Sequence, residues 1–429
     1  MAGQVSFAGV IRALSYRNYA IFNSCNTAAM IGEWMQRVGL GWLAWQMTES
    51  TAWLGIVACA DMVPTMLISP IAGAYCDRYD RLKFARVTIS LAAIQPALLS
   101  LLFFADLLTI WLIVALAAYS GVVSAFNQAS RLAIVPYLVA REELSPAVAL
   151  SSITYNISRF IGPAIAGTVI ATAGAGYTFL CNLATWLILV ASLFYIKLNA
   201  HDAPHRGRGH ILTDTVDGLR YTMRHPGIGP VMFLLIVGSM GQRPFVELLP
   251  GYADLVFSRG PEALGWMVSI VGLGALLGAI YLSARATMRG LTAVSVHAVL
   301  VGALSLVAFT MSGEFWLAMI FLFFVGVTLS ISSTGIMTLV QASVDSHMRG
   351  RVLSLYGLIF RGGPAIGALA MGWAAERVGL QIPIGVGAVF CIVLWAWVSR
   401  GLAATAAVLE SEPPAAQRAA RPLSQEEHS

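Results

Sequence analysis

Apolar stretches long enough to cross a bilayer alternate along this chain with short charged islands. A helix spans the hydrocarbon core with about 20 apolar residues. Runs of that order lie near residues 18–46, 53–76, 84–105, 108–130, 147–172 and 177–197. A polar stretch, Asn199 to His225, follows, and six more runs come after it, near 227–252, 262–284, 291–312, 315–340, 352–374 and 380–399. None shows the two-residue alternation of a lipid-facing strand, which points to helices and away from a β-barrel. The expected fold is an all-α polytopic membrane protein with twelve transmembrane helices in two six-helix halves. The expected divisions are an N-terminal segment (1–17), a first half (18–198), a linker (199–226), a second half (227–400) and a disordered tail (401–429) rich in Ala, Pro, Arg and Glu.

Composition narrows the class. The chain is 58% hydrophobic and 11% charged, against about a quarter charged residues in soluble domains, so it cannot coat a globule. The first eighteen residues are polar and basic and lead directly into the first run, so no cleavable leader is expected. Cys25, Cys59, Cys76, Cys181 and Cys391 fall within or beside apolar runs at spacings that suit neither a metal nor a disulfide framework. His201, His205 and His210 are too irregularly spaced for a metal site. Gly272-Leu-Gly274 with Gly278 lies inside an apolar run and follows no strand, so no nucleotide loop is expected. No nucleophile–base pair stands out, and an enzyme is not expected. The net charge of +5 is spread among loops, which argues against a nucleic-acid partner.

Charge also orients the chain. With the N-terminus inside, twenty of the 26 Lys and Arg residues fall on inner segments, and only Arg259 and Arg377 fall on outer loops. That bias places both termini in the cytoplasm. On this assignment Arg131 belongs to an inner edge. The halves repeat as well: Met35-Gln36-Arg37 matches Gly241-Gln242-Arg243, and Gly162-Pro163-Ala-Ile matches Gly363-Pro364-Ala-Ile at nearly the same offset.

Charges left inside the runs carry the candidate chemistry: Glu33, Arg37, Asp61, Arg159, Arg243, Glu247 and Arg361. Each costs roughly 2.5–3.5 kcal/mol at mid-bilayer on the mildest scale, so they need partners or a water-filled cavity. Glu33 and Arg37 are four apart, as are Arg243 and Glu247, so each pair shares one helical face. The pairs are either static self-neutralising braces or members of a central site. In the second case the arginines bind an anionic or oxygen-rich substrate, and Glu33, Asp61 or Glu247 exchanges a proton. Asp61 has no basic residue within a helical turn, which makes it the carboxylate that burial most disposes to take up a proton. Trp34, Trp42, Trp45, Tyr155 and Phe245 stand nearby as stacking, core or interfacial residues.

Two motifs carry a family resemblance. The island Gly73-Ala-Tyr-Cys-Asp77-Arg78-Tyr-Asp80-Arg81-Leu-Lys83 resembles the loop between the second and third helices of the major facilitator superfamily. Gly162-Pro163-Ala-Ile-Ala-Gly167 resembles the fifth-helix motif of its antiporters, with alanine in place of one glycine. The stretch Gly32-Glu33-Trp34-Met35-Gln36-Arg37, with Leu14 to Tyr19 before it, is similar to the branch of enterobactin exporters and macrolide-efflux proteins. The resemblance implies two halves related by an axis along the membrane normal. It implies proton-driven export of a siderophore or drug-like molecule across a bacterial inner membrane, with no cofactor beyond the proton gradient. It also implies a cytoplasmic latch at Gly73, Asp77, Arg78 and Arg81. Without the resemblance, the island reads as an ordinary basic loop and the Gly-Pro segment as small-residue packing. The partners expected are a small-molecule substrate and the lipid bilayer, with the protein a monomer. Lysophospholipid translocation and a non-transporting membrane sensor are the alternatives.

Overall fold

The computed structural model describes residues 12–76, 79–196, 211–285, 287–345 and 347–410. Among them the regular structure is entirely helical. The first group comprises α1 (Arg17–Thr48), α2 (Thr51–Cys76), α3 (Arg81–Phe104), α4 (Ile110–Ile134), α5 (Leu144–Ala173) and α6 (Ala175–Tyr195). A short helix in the linker, α7 (Ile211–Arg224), leads to α8 (Ile228–Gly241) and α9 (Phe245–Gly251). Then come α10 (Pro261–Ala284), α11 (Leu291–Met311), α12 (Phe315–Ser343), α13 (Arg349–Val378), α14 (Gln381–Ser399) and α15 (Leu402–Leu409). Helix boundaries fall within a few residues of the apolar runs.

Among the described residues, ten stretches are long and apolar enough to cross a membrane, the broken helix Ile228–Val256 counting as one. Helices α1 and α5 have the length, 32 and 30 residues, but polar residues interrupt them, among them Glu33, Arg37 and Arg159. The tail departs from the expected disorder at its start, because Leu402–Leu409 is helical. Leu409 and Thr405 are buried and the Ser343 hydroxyl donates to the Leu409 carbonyl. Apolar packing against α8 and α12 explains why eight residues can hold a helix that would not form alone.

Buried amides bind each group internally. Gln36 Nε2 donates to Gln95 Oε1 (2.8 Å), and Asn182 Nδ2 donates to Gln36 Oε1 (2.9 Å), joining α1, α3 and α6. The matching Gln242 donates to the Val299 carbonyl of α11 at 2.8 Å. The repeated glutamine therefore makes the same connection in each group, from its first long helix to its third. In an apolar layer such bonds hold because their donors have no water to turn to.

Close contacts between the groups gather toward one end of the bundle. A Cβ on Gly265 of α10 would lie 2.6 Å from the Pro163 carbonyl oxygen and 2.8 Å from Gly167 Cα of α5. A Cβ on Gly55 of α2 would lie 2.6 Å from the Ala368 carbonyl oxygen of α13. Only glycine permits these approaches. The Thr51 hydroxyl donates to the Gly372 carbonyl (2.7 Å), and Trp45 Nε1 donates to Asp254 (2.8 Å). Glu376 of α13 accepts from the Ala52 N–H (3.2 Å) and from the Ser50 hydroxyl, capping the start of α2. Toward the opposite end, Gly73 of α2 and Gly350 and Gly357 of α13 have nothing within 4 Å of an added Cβ. The groups touch at one end and part at the other.

Charged residues finish the helices at the parted end. Asp80 accepts from the Lys83 N–H at 2.8 Å and caps α3. Arg86 donates twice to the Leu193 carbonyl near the end of α6 (3.1 and 2.9 Å). The loop before α11 has no aspartate. Glu410 takes that place, accepting from the Gly290 N–H (2.6 Å) and the Thr292 N–H (2.9 Å). Burial opposes the ionised form of Glu410, but these backbone bonds prevail and hold its carboxyl below the ordinary range.

His225 caps α8 by accepting the Gly227 and Ile228 N–H groups at Nδ1 (3.3 and 3.1 Å), which requires a neutral ring. Burial lowers its pKa, and the nearby Asp345 carboxylate only partly offsets this. The folded value is depressed, so this contribution is full above the ordinary 6.5 and is lost as pH falls through the folded value. Thermal unfolding of the detergent-solubilised protein should therefore show a stability loss below pH 6.5 that His225→Asn abolishes, since asparagine keeps a non-titrating acceptor. An identical acid slope in the variant would rule this out.

Candidate functional site

The seventh apolar run is not one helix. It stops at Gly241 and restarts at Phe245, with Gln242, Arg243 and Pro244 in the turn between. Pro244 has no N–H to continue the ladder. The break separates Arg243 and Glu247, which the i, i+4 spacing had placed on one face. Interrupted membrane helices free backbone and side chains to line a site.

The two expected i, i+4 pairs are replaced by longer connections. Glu247 receives a 2.6 Å ion pair from Arg37 Nη2 of α1, so the carboxylate and its arginine come from different groups of helices. Glu33 lies 3.9 Å from Arg131 Nη1 of α4. The reading of each pair as a self-neutralising brace is thus corrected. The helix break and the lateral approach of α4 supply better-placed partners.

The remaining arginines rest on rings and carbonyls. Arg37 and Arg159 lie 5.6 and 5.7 Å from the centroid of the same Trp34 ring, and Tyr155 meets that ring edge-on at 6.1 Å. Arg243 stacks 3.7 Å over Phe360 and donates from Nη1 to the Phe360 carbonyl (3.0 Å). Tyr356 stacks in turn on Phe360. Arg361 Nη2 donates to Gln128 Oε1 of α4, another tie between the groups. Among the described residues no carboxylate lies within ion-pair distance of Arg159, Arg243 or Arg361.

Asp61 of α2 also has no ion pair among the described residues. Its carboxylate is in hydrogen-bonding reach of Ser120 and within electrostatic reach of Arg37, Glu247 and Glu33. The side chains of Glu33 and Arg37 are 54% and 41% exposed, so this part of the cluster faces open space between the helices. Arg37, Arg131, Arg159, Arg243 and Arg361 outnumber Glu33, Asp61 and Glu247. The cluster therefore carries a surplus of positive charge.

The motif residues are distributed differently. A Cβ on Gly162 would strike Trp34 Cβ (2.6 Å) and the Ile31 carbonyl oxygen (2.9 Å) of α1, whereas Gly167 faces α10. Pro163 lies between them within α5. The segment thus sets the spacing of α5 against both neighbours. Of the loop motif, Asp77 and Arg78 lie outside the described residues, a Cβ on Gly73 would have nothing within 4 Å, and Arg81 sits 5.3 Å over the Tyr137 ring. Tyr75, Tyr79, Phe84 and Phe126 pack together beside it.

Arg131 escaped the sequence reading because it lies just past the apolar run 108–130 and counted as a loop cation, whereas α4 continues three residues beyond it to Ile134. The polar segment Gln128-Ala-Ser-Arg131 at the end of that run was the available signal.

An apolar helical bundle with a cluster of ionisable groups between its helices defines a polytopic membrane transporter rather than an enzyme. The chain belongs to the transmembrane secretion effector family of the major facilitator superfamily, which it matches over residues 8–423. It is 26% identical to the staphyloferrin A transporter of Staphylococcus aureus, over 84% of this chain and 90% of that one. It is 27% identical to the multidrug efflux pump Tap of Mycolicibacterium fortuitum, over 80% and 86%. It is 30% identical to the enterobactin exporter EntS of Escherichia coli O127:H6, over 76% and 77%. In fold it resembles a bacterial homologue of the human lysosomal transporter Spinster in an inward-facing, unoccupied conformation. That likeness has a TM-score of 0.72 at 10% identity and covers 93% of this chain and 99% of that one. The protein is a multi-pass transporter of the bacterial inner membrane.

The Arg37–Glu247 contact can be measured directly. In a double-mutant cycle of Arg37→Gln and Glu247→Gln, the thermal stabilities should reveal a coupling of about 1 kcal/mol, kept small by the exposure of Arg37. Additive single effects would show that the pair does not join the helices in solution.

Proposed function

We propose that this transporter is a proton-coupled exporter that alternates access to a central site between two six-helix halves. In this reading α1 and α5 span the membrane with the ten apolar stretches, making twelve. The halves are residues 18–198 and 227–400, and the linker between them is cytoplasmic. The observation that carries the reading is Asp61, a carboxylate without an ion pair among the described residues. It sits within reach of the Arg37–Glu247 pair that joins the halves. A proton arriving there changes the local charge balance at the contact that connects them, which gives coupling a physical route.

The surplus of arginines supports a substrate rich in acidic or polar oxygen, and the relatives named for siderophores and for drug efflux support small-molecule export. Arg37, Arg159, Arg243 and Arg361 are the substrate or switching partners in this account. Glu33, Asp61 and Glu247 are the carboxylates through which coupling runs, Asp61 foremost. With both termini cytoplasmic, as the basic loops favour, the parted end faces the cytoplasm and the site is open inward. The loop of Gly73, Asp77, Arg78 and Arg81 then acts as the latch that closes this end in the outward-facing state. The Gly162-Pro163 to Gly167 segment holds the opposite seal. The working unit is a monomer.

A second reading, translocation of a lysolipid, has one observation in its favour. An apolar groove of about 360 Å³ runs beside α2, α4 and α13, lined by Ile56, Cys59, Val63, Pro64, Ala118 and Leu369. Labelled-lipid transport in vesicles separates it from efflux of a soluble compound. For the main reading, substrate-driven proton flux into proteoliposomes should fall at least about tenfold in Asp61→Asn, and less in Glu33→Gln. Unchanged flux in Asp61→Asn, Glu33→Gln and Glu247→Gln alike would sink the assignment.

A further inference from the structure

Arg131 is the buried cation that the coupling account does not use. Its side chain is 11% exposed and its guanidinium lies 4.8 Å from the Trp186 centroid. Neither Nε nor Nη2 has a hydrogen-bond partner. Those two N–H groups form the side-on fork of a guanidinium, the edge that matches both oxygens of a carboxylate. The only anion nearby among the described residues is Glu33, on the opposite nitrogen Nη1 and at 3.9 Å, too far for a hydrogen bond. A buried guanidinium left in this condition is costly.

Glu33 itself is more than half exposed, so it stands between Arg131 and the open space while binding it loosely. Its loose hold leaves the Arg131 guanidinium without a hydrogen-bonded carboxylate, so another carboxylate can compete for Nη1 when Glu33 turns outward. At the offsets that relate the two groups, positions 332–337 of the second group carry no arginine.

We propose that Arg131 is an anion-binding residue of the transport site, taking an organic carboxylate of the substrate in exchange for Glu33, against the aromatic wall of Trp186. This rests on the transport reading above and supplies its substrate class. It also gives Glu33, alongside its place among the coupling carboxylates, the role of competitor for that guanidinium.

Citrate serves as the probe, titrated into detergent-solubilised full-length protein at constant ionic strength, with the unfolding temperature as readout. The wild type should show a saturable rise. Glu33→Gln, which removes the competing carboxylate, should reach half-saturation at about tenfold lower citrate, and Arg131→Gln should lose the response, as expected for a charge-assisted bidentate contact. Equal half-saturation in wild type and Arg131→Gln would overturn the proposal, as would a Glu33→Gln variant that binds citrate no more tightly than wild type. The absence of a saturable response in both wild type and Glu33→Gln would also overturn it. A response to inorganic phosphate but not to citrate would overturn the carboxylate assignment. Glu33→Gln changes a half-exposed residue, so the test stands even where Arg131→Gln fails to fold. The titration uses no proton gradient, so failure of proton-driven export leaves these outcomes intact, and their failure leaves export intact.

Discussion

The ion pair between Arg37 and Glu247 is the contact on which the arrangement of this protein turns. Arg37 faces the open space between the helices with its side chain 41% exposed, so the pair is a modest tie of about 1 kcal/mol. Because one comes from α1 and the other from the helix restarted after Pro244, satisfying both requires the two groups of helices to meet. Gly55, Gly167 and Gly265 then allow the backbones to close around that meeting point on one side. Among the described residues the other side shows no comparable close approach. This ion pair, with close glycine packing on one flank, suits the rocking of the two groups proposed above.

The structure separates residues that hold shape from residues that carry charge. Gln36, Gln95, Asn182 and Gln242 are buried and bonded within their own groups, so each group can move as a body. Arg159, Arg243 and Arg361 rely on rings, carbonyls and an amide for their neighbours. Such partners stabilise a guanidinium without neutralising it. The resulting positive surplus, flanked by aromatic surfaces, suits the anionic substrate proposed above.

Much of this was legible in the chain. Helix existence and limits followed from apolar runs, since lipid leaves a spanning segment little other choice. The Met35-Gln36-Arg37 and Gly241-Gln242-Arg243 repeat pointed to equivalent positions, and the two glutamines do make equivalent bonds. Partner choice was not legible. Helical spacing favoured Glu33 with Arg37 and Arg243 with Glu247, but the break at Pro244 and the approach of α4 are tertiary facts that no local spacing encodes. Arg131 was hidden by its place near a helix end, where length and tilt decide whether a side chain reaches water or folds inward. Glu410 shows the same limit, because a carboxylate missing from one loop is supplied from 120 residues away.

Pulsed spin-label distances test the central claim, that the two groups of helices rock about the Arg37–Glu247 contact. One label pair, at Tyr79 and Ser354, spans the parted end, and a second, at Glu49 and Arg377, spans the touching end. The account predicts two distance populations in each pair that exchange in opposite directions when pH or substrate is changed: as the first pair shortens, the second lengthens. A single distance at each end, unmoved by either change, would contradict it.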